Sequence, residues 1–282
     1  MDDTDTIQIK RPQSQSVVPL PPTGEIPIET KYPSETIELP SKGQFYAENN
    51  PLSKGQIEVK MITAKEEDIL TNTNLIRRGQ VLDKLLESVL IDKRIKIEDF
   101  LISDVNAVYI ALRRLAYGDK YGPLAIVCSN CKEENKDIEI DLSKIAYKNI
   151  DVTKFPKGHN EFSFVLPFSK KTITFKLLTS KDEAVIESEI KVNNKLKLGS
   201  NDLSARLKQL ITSVDGNSDR AYIRKFIEND FLSKDSFEFR KYLKEITPAV
   251  DMGYDITCPH CNSEERVQVP LTAAFFWPDT SR

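Results

Sequence analysis

The sequence contains little histidine, glycine and cysteine for its length, and this scarcity limits its chemistry. Two His, ten Gly and four Cys occur among 282 residues. The glycines do not form the phosphate-binding patterns G-x-x-x-x-G-K-S/T or G-x-G-x-x-G, and the motifs G-x-S-x-G and H-E-x-x-H do not occur. The histidines, His159 and His260, have no partner motif that would make them catalytic. We therefore predict a protein that is not an enzyme.

The chain also lacks a long hydrophobic run and an excess of positive charge. No apolar stretch approaches the length needed to cross a bilayer. The first residues, MDDTDTIQIK, are acidic and polar, unlike a secretory signal peptide. The formal net charge is −3, and the cations are scattered in short pairs such as Arg77–Arg78 rather than clustered as nucleic-acid binding requires. We expect a soluble, intracellular protein with no membrane span, whose partners are proteins rather than nucleic acid.

The four cysteines form two C-x-x-C pairs, Cys128 with Cys131 and Cys258 with Cys261. The β-prone runs LAIV and YDIT directly precede the two pairs. After each pair, apolar and polar residues alternate with a period of two, as in DIEIDL and RVQVPL, which is typical of a half-buried strand. Each pair is therefore predicted to lie in a turn between two strands.

Two such turns facing each other would supply the four sulfurs of a tetrahedral zinc site. Such a site has no open coordination position, so the ion is structural. We predict that Cys128, Cys131, Cys258 and Cys261 bind one zinc ion as a split zinc ribbon. Two alternatives stay open, namely a redox C-x-x-C, which needs a thioredoxin-like context, and four free structural thiols. The intervening residues, 132–257, far exceed the usual spacing of about 15–20 residues, but the similar flanks support pairing.

The predicted fold class is α+β, with the split ribbon packed on an α-helical region. Residues 1–38 are predicted to be an extended, Pro-rich arm, which is either a disordered leader or a segment that orders on a partner. Residues 39–149 and 250–282 would form the core, and residues 150–249 would form a mainly helical insertion lobe between the two cysteine turns. Phe275, Phe276 and Trp277 would cover the ribbon sheet or form a contact patch.

Capping and periodicity patterns predict the individual helices. Thr63 and Glu66 match a capping box, as do Ser180 and Glu183. Two amphipathic helices are expected within 81–90 and 105–115, the second capped by Ser103 or Asp104 and ended by Gly118. The lobe is expected to begin with two strands around a Ser-Lys-Lys turn, followed by helices near 181–194, 202–214, 219–229 and 235–246.

Several stretches resemble a known family. They are LPSKGQFY, MITAKEEDILTNTNLIRRGQVLDKLL, the C-x-x-C pair after AYGDKYG, and the ending CPHC…VPLT…FFWP. Together they resemble the baseplate hub assembly proteins and hub subunits of T-even-type contractile-tailed bacteriophages, over about residues 39–145 and 250–277. The resemblance implies a non-catalytic protein of virion assembly, either a hub component or a chaperone of hub assembly. It also implies that the four cysteines are structural ligands.

The resemblance further implies that the partners are other tail and baseplate proteins, met in the host cytoplasm during assembly and, for a hub component, also in the finished tail. A second hypothesis rests on the ribbon alone and makes the protein a zinc-ribbon adaptor that binds nucleic acid or a polymerase. The acidic balance of the chain argues against its nucleic-acid form. A third hypothesis, an enzyme with a zinc-stabilised lobe, requires a polar pocket that the sequence does not reveal.

Overall fold

The computed structural model describes residues 33–148, 150–196, 202–269 and 271–276. Most of the predicted arm and Trp277 therefore lie outside the described residues. The described helices are α1 (Ala64–Thr71), α2 (Thr73–Arg78), α3 (Val81–Val89), α4 (Ile102–Tyr117), α5 (Ser180–Lys195), α6 (Asp202–Leu210), α7 (Arg220–Lys225) and α8 (Ser233–Ile246). The described strands are β1 (Ser34–Glu38), β2 (Gln56–Lys60), β3 (Lys120–Val127), β4 (Glu134–Asp141), β5 (Phe162–Val165), β6 (Thr172–Phe175), β7 (Ile211–Val214), β8 (Gly253–Thr257) and β9 (Glu264–Gln268).

The described strands form four small antiparallel sheets, which confirms the mixed α+β class. Strands β1 and β2 pair, β3 pairs with β4, β8 pairs with β9, and β5, β6 and β7 form a three-stranded sheet in that order. Each pair is antiparallel, so short turns suffice to connect neighbouring strands along the chain. Within the described ranges, no helix is long and apolar enough to span a membrane.

Two Ser-Lys-Gly turns, residues 41–43 and 53–55, pack directly against each other beside the first sheet. Gly43 has φ 73° and Gly55 has φ 72°, a left-handed conformation that favours glycine. A Cβ atom on Gly43 would lie 2.3 Å from the carbonyl oxygen of Ser53, and one on Gly55 would lie 2.5 Å from the carbonyl carbon of Lys42. Both glycines are therefore required by the close approach of one turn to the other.

The predicted cap of α4 is wrong, because the cap residue is Leu101 and Asp104 lies inside the first turn. The side chain of Asp104 is buried and accepts hydrogen bonds from the Ser41 amide at 3.0 Å, the Ser41 hydroxyl at 2.6 Å and the Tyr46 hydroxyl at 2.6 Å. Burial raises the pKa of Asp104 above its usual value. Asp104, like the neighbouring Ser103, does not cap the helix, and its carboxylate instead anchors the first Ser-Lys-Gly turn on α4.

One of the two predicted capping boxes is confirmed and the other is shifted by one residue. Thr63 and Glu66 form the box at the start of α1. At α5 the box is formed by Thr179 and Asp182 rather than by Ser180 and Glu183. Thr179 is held in an extended conformation by a bridge to Leu101, so the helix begins one residue after it. This tertiary bridge is not visible in a local sequence pattern.

The predicted helix over 202–214 is too long. Helix α6 ends at Leu210, and Ile211–Val214 is strand β7, which pairs with β6. Its sequence, ITSV, is rich in β-branched residues, which favour strands. The predicted β5–β6 hairpin is present, and β7 completes its sheet. The predicted helix near 219–229 consists of α7 followed by a π-helix, Phe226–Asp230.

A single hydrophobic cluster includes residues that lie before, between and after the two cysteine turns in the chain. It includes Phe100 before α4, Phe175 on β6 and Phe275 near the end of the described chain, all with 0% exposure. Each fully buried side chain of this size contributes about 1.5–3 kcal/mol to stability by leaving water. The Phe275 ring lies 5.0 Å from the Tyr121 ring of β3, between centroids, and so packs against the first cysteine hairpin.

Candidate metal centre

The two C-x-x-C turns lie at the tips of separate two-stranded hairpins. Cys128 directly follows β3, and Cys258 directly follows β8. The backbone amide of Cys128 donates to the carbonyl of Glu133, and that of Cys258 donates to the carbonyl of Ser263, each at 2.9 Å. The two turns therefore close with equivalent hydrogen bonds, as their similar flanks predict.

A second pair of contacts extends this equivalence. The amide of Lys132 donates to the Cys128 carbonyl at 3.1 Å, and the amide of Asn262 donates to the Cys258 carbonyl at 2.9 Å. Lys132 and Asn262 both have positive φ, 65° and 55°. A backbone that turns back in this way directs both cysteine side chains of a C-x-x-C segment to the same side. Each hairpin thus presents two sulfurs together.

The four predicted ligands meet at one point. The sulfur atoms of Cys128, Cys131, Cys258 and Cys261 all lie within 4.8 Å of one another, and two of the separations, Cys128 to Cys261 and Cys131 to Cys258, are 3.7 Å. Cys128 and Cys258 are buried, whereas Cys131 and Cys261 are half-buried. This group could bind a metal ion. No other cluster of His, Cys, Asp and Glu in the described residues has this property.

The long connection between the two hairpins leaves the first hairpin and enters the second at neighbouring positions in space. It therefore does not keep the hairpins apart. Tyr147, which follows β4, forms a bridge with Val250, which precedes β8. The Lys148 amide donates to the Ala249 carbonyl at 2.8 Å. The segment that leaves the first hairpin therefore runs beside the segment that enters the second.

Arg113 on α4 connects the first hairpin to the end of the described chain. The residue is 2% exposed, and its guanidinium donates to the carbonyl of Phe275 at 2.9 Å and to the carbonyl of Lys120 at 3.3 Å. Burial lowers the pKa of Arg113. The guanidinium thus links α4, the start of β3 and the segment after the second hairpin.

A serine hydroxyl polarises two of the sulfurs. Ser263 Oγ lies 3.3 Å from Cys128 Sγ and 3.1 Å from Cys261 Sγ. Its hydrogen bonds lower the pKa of Cys128 and lower that of Cys261 to about 5. The Glu133 amide lowers the pKa of Cys131, but burial and the neighbouring sulfurs outweigh it and raise the value to about 12. Four adjacent thiolates repel one another, and a bound cation removes that repulsion.

Three further side chains connect the two hairpins, and the sequence patterns did not identify them. The side-chain amides of Asn130 and Asn135 lie 3.6 Å from the sulfurs of Cys261 and Cys258. From the second hairpin, the Glu265 carboxylate reaches the first hairpin and accepts a hydrogen bond from the backbone amide of Ser129 at 3.0 Å. Asn135 and Glu265 occupy the same position relative to their C-x-x-C pairs, and this shared offset is the signal that could have found them.

Neither histidine belongs to the cysteine cluster. His260 lies between Cys258 and Cys261 in the second turn, and it is exposed. His159 lies in the connection before β5.

A comparison with protein families gives one match. The family model described as T4 bacteriophage base plate protein matches residues 33–277. The matched region includes all four cysteines and every described element. No curated protein and no solved structure matches the chain significantly.

Proposed function

Since the chain belongs to the family of T4 bacteriophage base plate proteins, we propose that it acts in the hub of a contractile tail baseplate. Within that structure it would serve as a hub component or as a chaperone of hub assembly. The observation that supports this proposal is the family match, which extends over most of the chain. Partners are then other tail and baseplate proteins, met in the host cytoplasm during assembly.

The proposed role is non-enzymatic and rests on protein–protein contacts. Nearly balanced charges, 40 basic and 43 acidic residues, fit a protein-binding surface better than a nucleic-acid-binding one. Of the arm proposed over residues 1–38, Ser34–Glu38 form β1 within this chain. The part of the arm before β1 is the proposed segment that orders on a partner, since it combines Pro with apolar residues such as Val17, Val18 and Leu20. Residues 150–249 are the proposed insertion lobe, flanked by the bridge between Tyr147 and Val250.

The cofactor is proposed to be one structural zinc ion held by Cys128, Cys131, Cys258 and Cys261. A tetrahedral site with Zn–S bonds of about 2.3 Å has sulfur–sulfur edges of about 3.8 Å. The 3.7 Å separations of Cys128 from Cys261 and of Cys131 from Cys258 agree with this value. Bound zinc supplies a cross-link between the hairpins in place of a hydrophobic core. The resulting unit is the split zinc ribbon.

The proposal can be tested in the phage whose genome carries this sequence. A nonsense mutation in the gene, with a complementing plasmid as control, should abolish complete baseplates in electron micrographs of the lysate. Mass spectrometry of purified wild-type particles then separates the two roles, because a hub component is present in the particle and an assembly chaperone is absent. Normal baseplates in the mutant would contradict both roles.

A further inference from the structure

Asn135 on β4 is a polar residue in a buried position beside the cysteine cluster. It is 2% exposed, and the neighbouring Cys258 is 0% exposed. The side-chain nitrogen and oxygen of Asn135 each lie 3.6 Å from Cys258 Sγ. The contact crosses from the first hairpin to a ligand on the second.

The chemistry of a metal-bound cysteine determines which of these atoms can bond to it. A sulfur that binds a metal has lost its proton and can only accept a hydrogen bond. The amide nitrogen of Asn135 is a donor, whereas its oxygen is an acceptor. A buried donor directed at a ligand atom restricts the position of that ligand and stabilises its negative charge.

From this geometry we infer that Asn135 is a positioning residue of the metal centre. Its side-chain N–H group holds the Cys258 sulfur in place across the two hairpins. The inference rests on the proposed metal site and extends it to a residue that is not a ligand. Glu265 occupies the equivalent position on the second hairpin but accepts from the Ser129 backbone, so of these two equivalent residues it is Asn135 that contacts a ligand sulfur.

Asn130 provides a matched control within the same site. Its side-chain nitrogen also lies 3.6 Å from a ligand sulfur, that of Cys261, but Asn130 is exposed. Water can replace an exposed donor, whereas it cannot reach the buried contact of Asn135. The same substitution at the two positions therefore separates the effect of a buried donor from a general effect of losing an asparagine.

The test measures zinc binding by the full chain in competition with a chromophoric chelator. Asn135→Leu should lower zinc affinity about 10–100-fold, as expected for a group that orients a ligand. Asn135→Asp should lower it further, because a carboxylate of the same size cannot donate and adds negative charge beside the sulfur. Asn130→Leu should lower it by a smaller factor, because water can replace the exposed Asn130 donor at the Cys261 sulfur.

A spectroscopic readout excludes a purely structural role. With cobalt(II) in place of zinc, the sulfur-to-metal charge-transfer bands should shift more in Asn135→Leu than in Asn130→Leu, where water replaces the lost donor. If Asn135→Leu does not fold, Asn135→Asp is compared with Asn130→Asp instead. Circular dichroism then checks that both variants are folded. Equal affinity and equal spectra at the two positions would overturn the inference. Wild-type protein that binds neither metal would instead overturn the zinc site itself.

Discussion

The sulfur atoms of Cys128 and Cys261 lie 3.7 Å apart although 133 positions separate them in the chain. Closing a loop of this length costs conformational entropy, and bonds at the closure point must compensate for it. The pairing of Tyr147 with Val250 brings the hairpins together, and the buried contact of Asn135 and the exposed contact of Glu265 align them. A metal ion at the cysteines would add the remaining cross-link.

Removal of one ligand should remove the metal and unfold the hairpins. We expect one zinc per chain in wild-type protein and none in Cys258→Ser, with a loss of about 3 kcal/mol or more in the free energy of unfolding. Elemental analysis and urea denaturation measure the two effects. His260→Ala is the control, since His260 lies in the same turn outside the cluster and should keep its zinc. Zinc-free wild-type protein prepared without chelator would contradict the prediction.

The buried carboxylate of Asp104 should be a major source of stability. Asp104→Ala removes the acceptor of three hydrogen bonds and leaves Ser41 and Tyr46 with buried, unpaired donors, at a cost of about 3 kcal/mol. Tyr46→Phe should cost less, about 1–2 kcal/mol. Urea denaturation measures both. Asp119→Ala removes an exposed acid and should change stability by about 0.5 kcal/mol or less. An equal loss of stability in Asp104→Ala and Asp119→Ala would refute this account.

Glu66 should make the fold sensitive to acid. Burial raises its pKa, but hydrogen bonds from Lys60, Ser88 and Thr63 outweigh that effect and lower the pKa from 4.5 to about 2. A pKa that is lower in the folded state stabilises the protein above pH 4.5, and this contribution is lost as the pH falls from 4.5 to 2. The contribution is about 3 kcal/mol.

Unfolding curves between pH 2 and pH 7 test this dependence. Glu66→Gln should be less stable than wild type at neutral pH, and the difference should shrink towards pH 2. Asp68→Asn, two residues along α1, removes an exposed carboxylate and should follow the wild-type curve. A constant difference between Glu66→Gln and wild type at every pH would show that the carboxylate charge is not the cause.

The contact between the two Ser-Lys-Gly turns should tolerate no side chain at Gly43. Gly43→Ala adds left-handed strain of about 1–2 kcal/mol and places a Cβ 2.3 Å from the Ser53 carbonyl oxygen. Gly79→Ala has similar strain at φ 71°, but the added Cβ would meet no heavy atom within 4 Å outside Gly79 and its local backbone. The difference in thermal stability between these variants therefore measures the steric contact alone, and we expect Gly43→Ala to be less stable. Equal losses of thermal stability in Gly43→Ala and Gly79→Ala would show that the two Ser-Lys-Gly turns can move apart to accommodate the added Cβ.

Short-range patterns in the sequence determined much of the local structure. The C-x-x-C pairs with alternating flanks predict both hairpins, because a turn followed by period-two alternation depends on neighbouring residues only. The Thr63–Glu66 capping box is likewise local and was predicted at the correct residues. The family resemblance, which depends on motifs spread along the chain, agrees with the family match over residues 33–277.

The tertiary structure decided the features that depend on distant residues. The role of Asp104 follows from Ser41 and Tyr46, the start of α5 follows from the bridge between Leu101 and Thr179, and strand β7 exists because β6 is available to pair with it. Likewise, the sequence places four cysteines in two turns, but only the folded chain determines that Cys128 faces Cys261 and that Asn135 reaches Cys258. Local propensity differs little between such alternatives, so long-range packing and hydrogen bonding select among them.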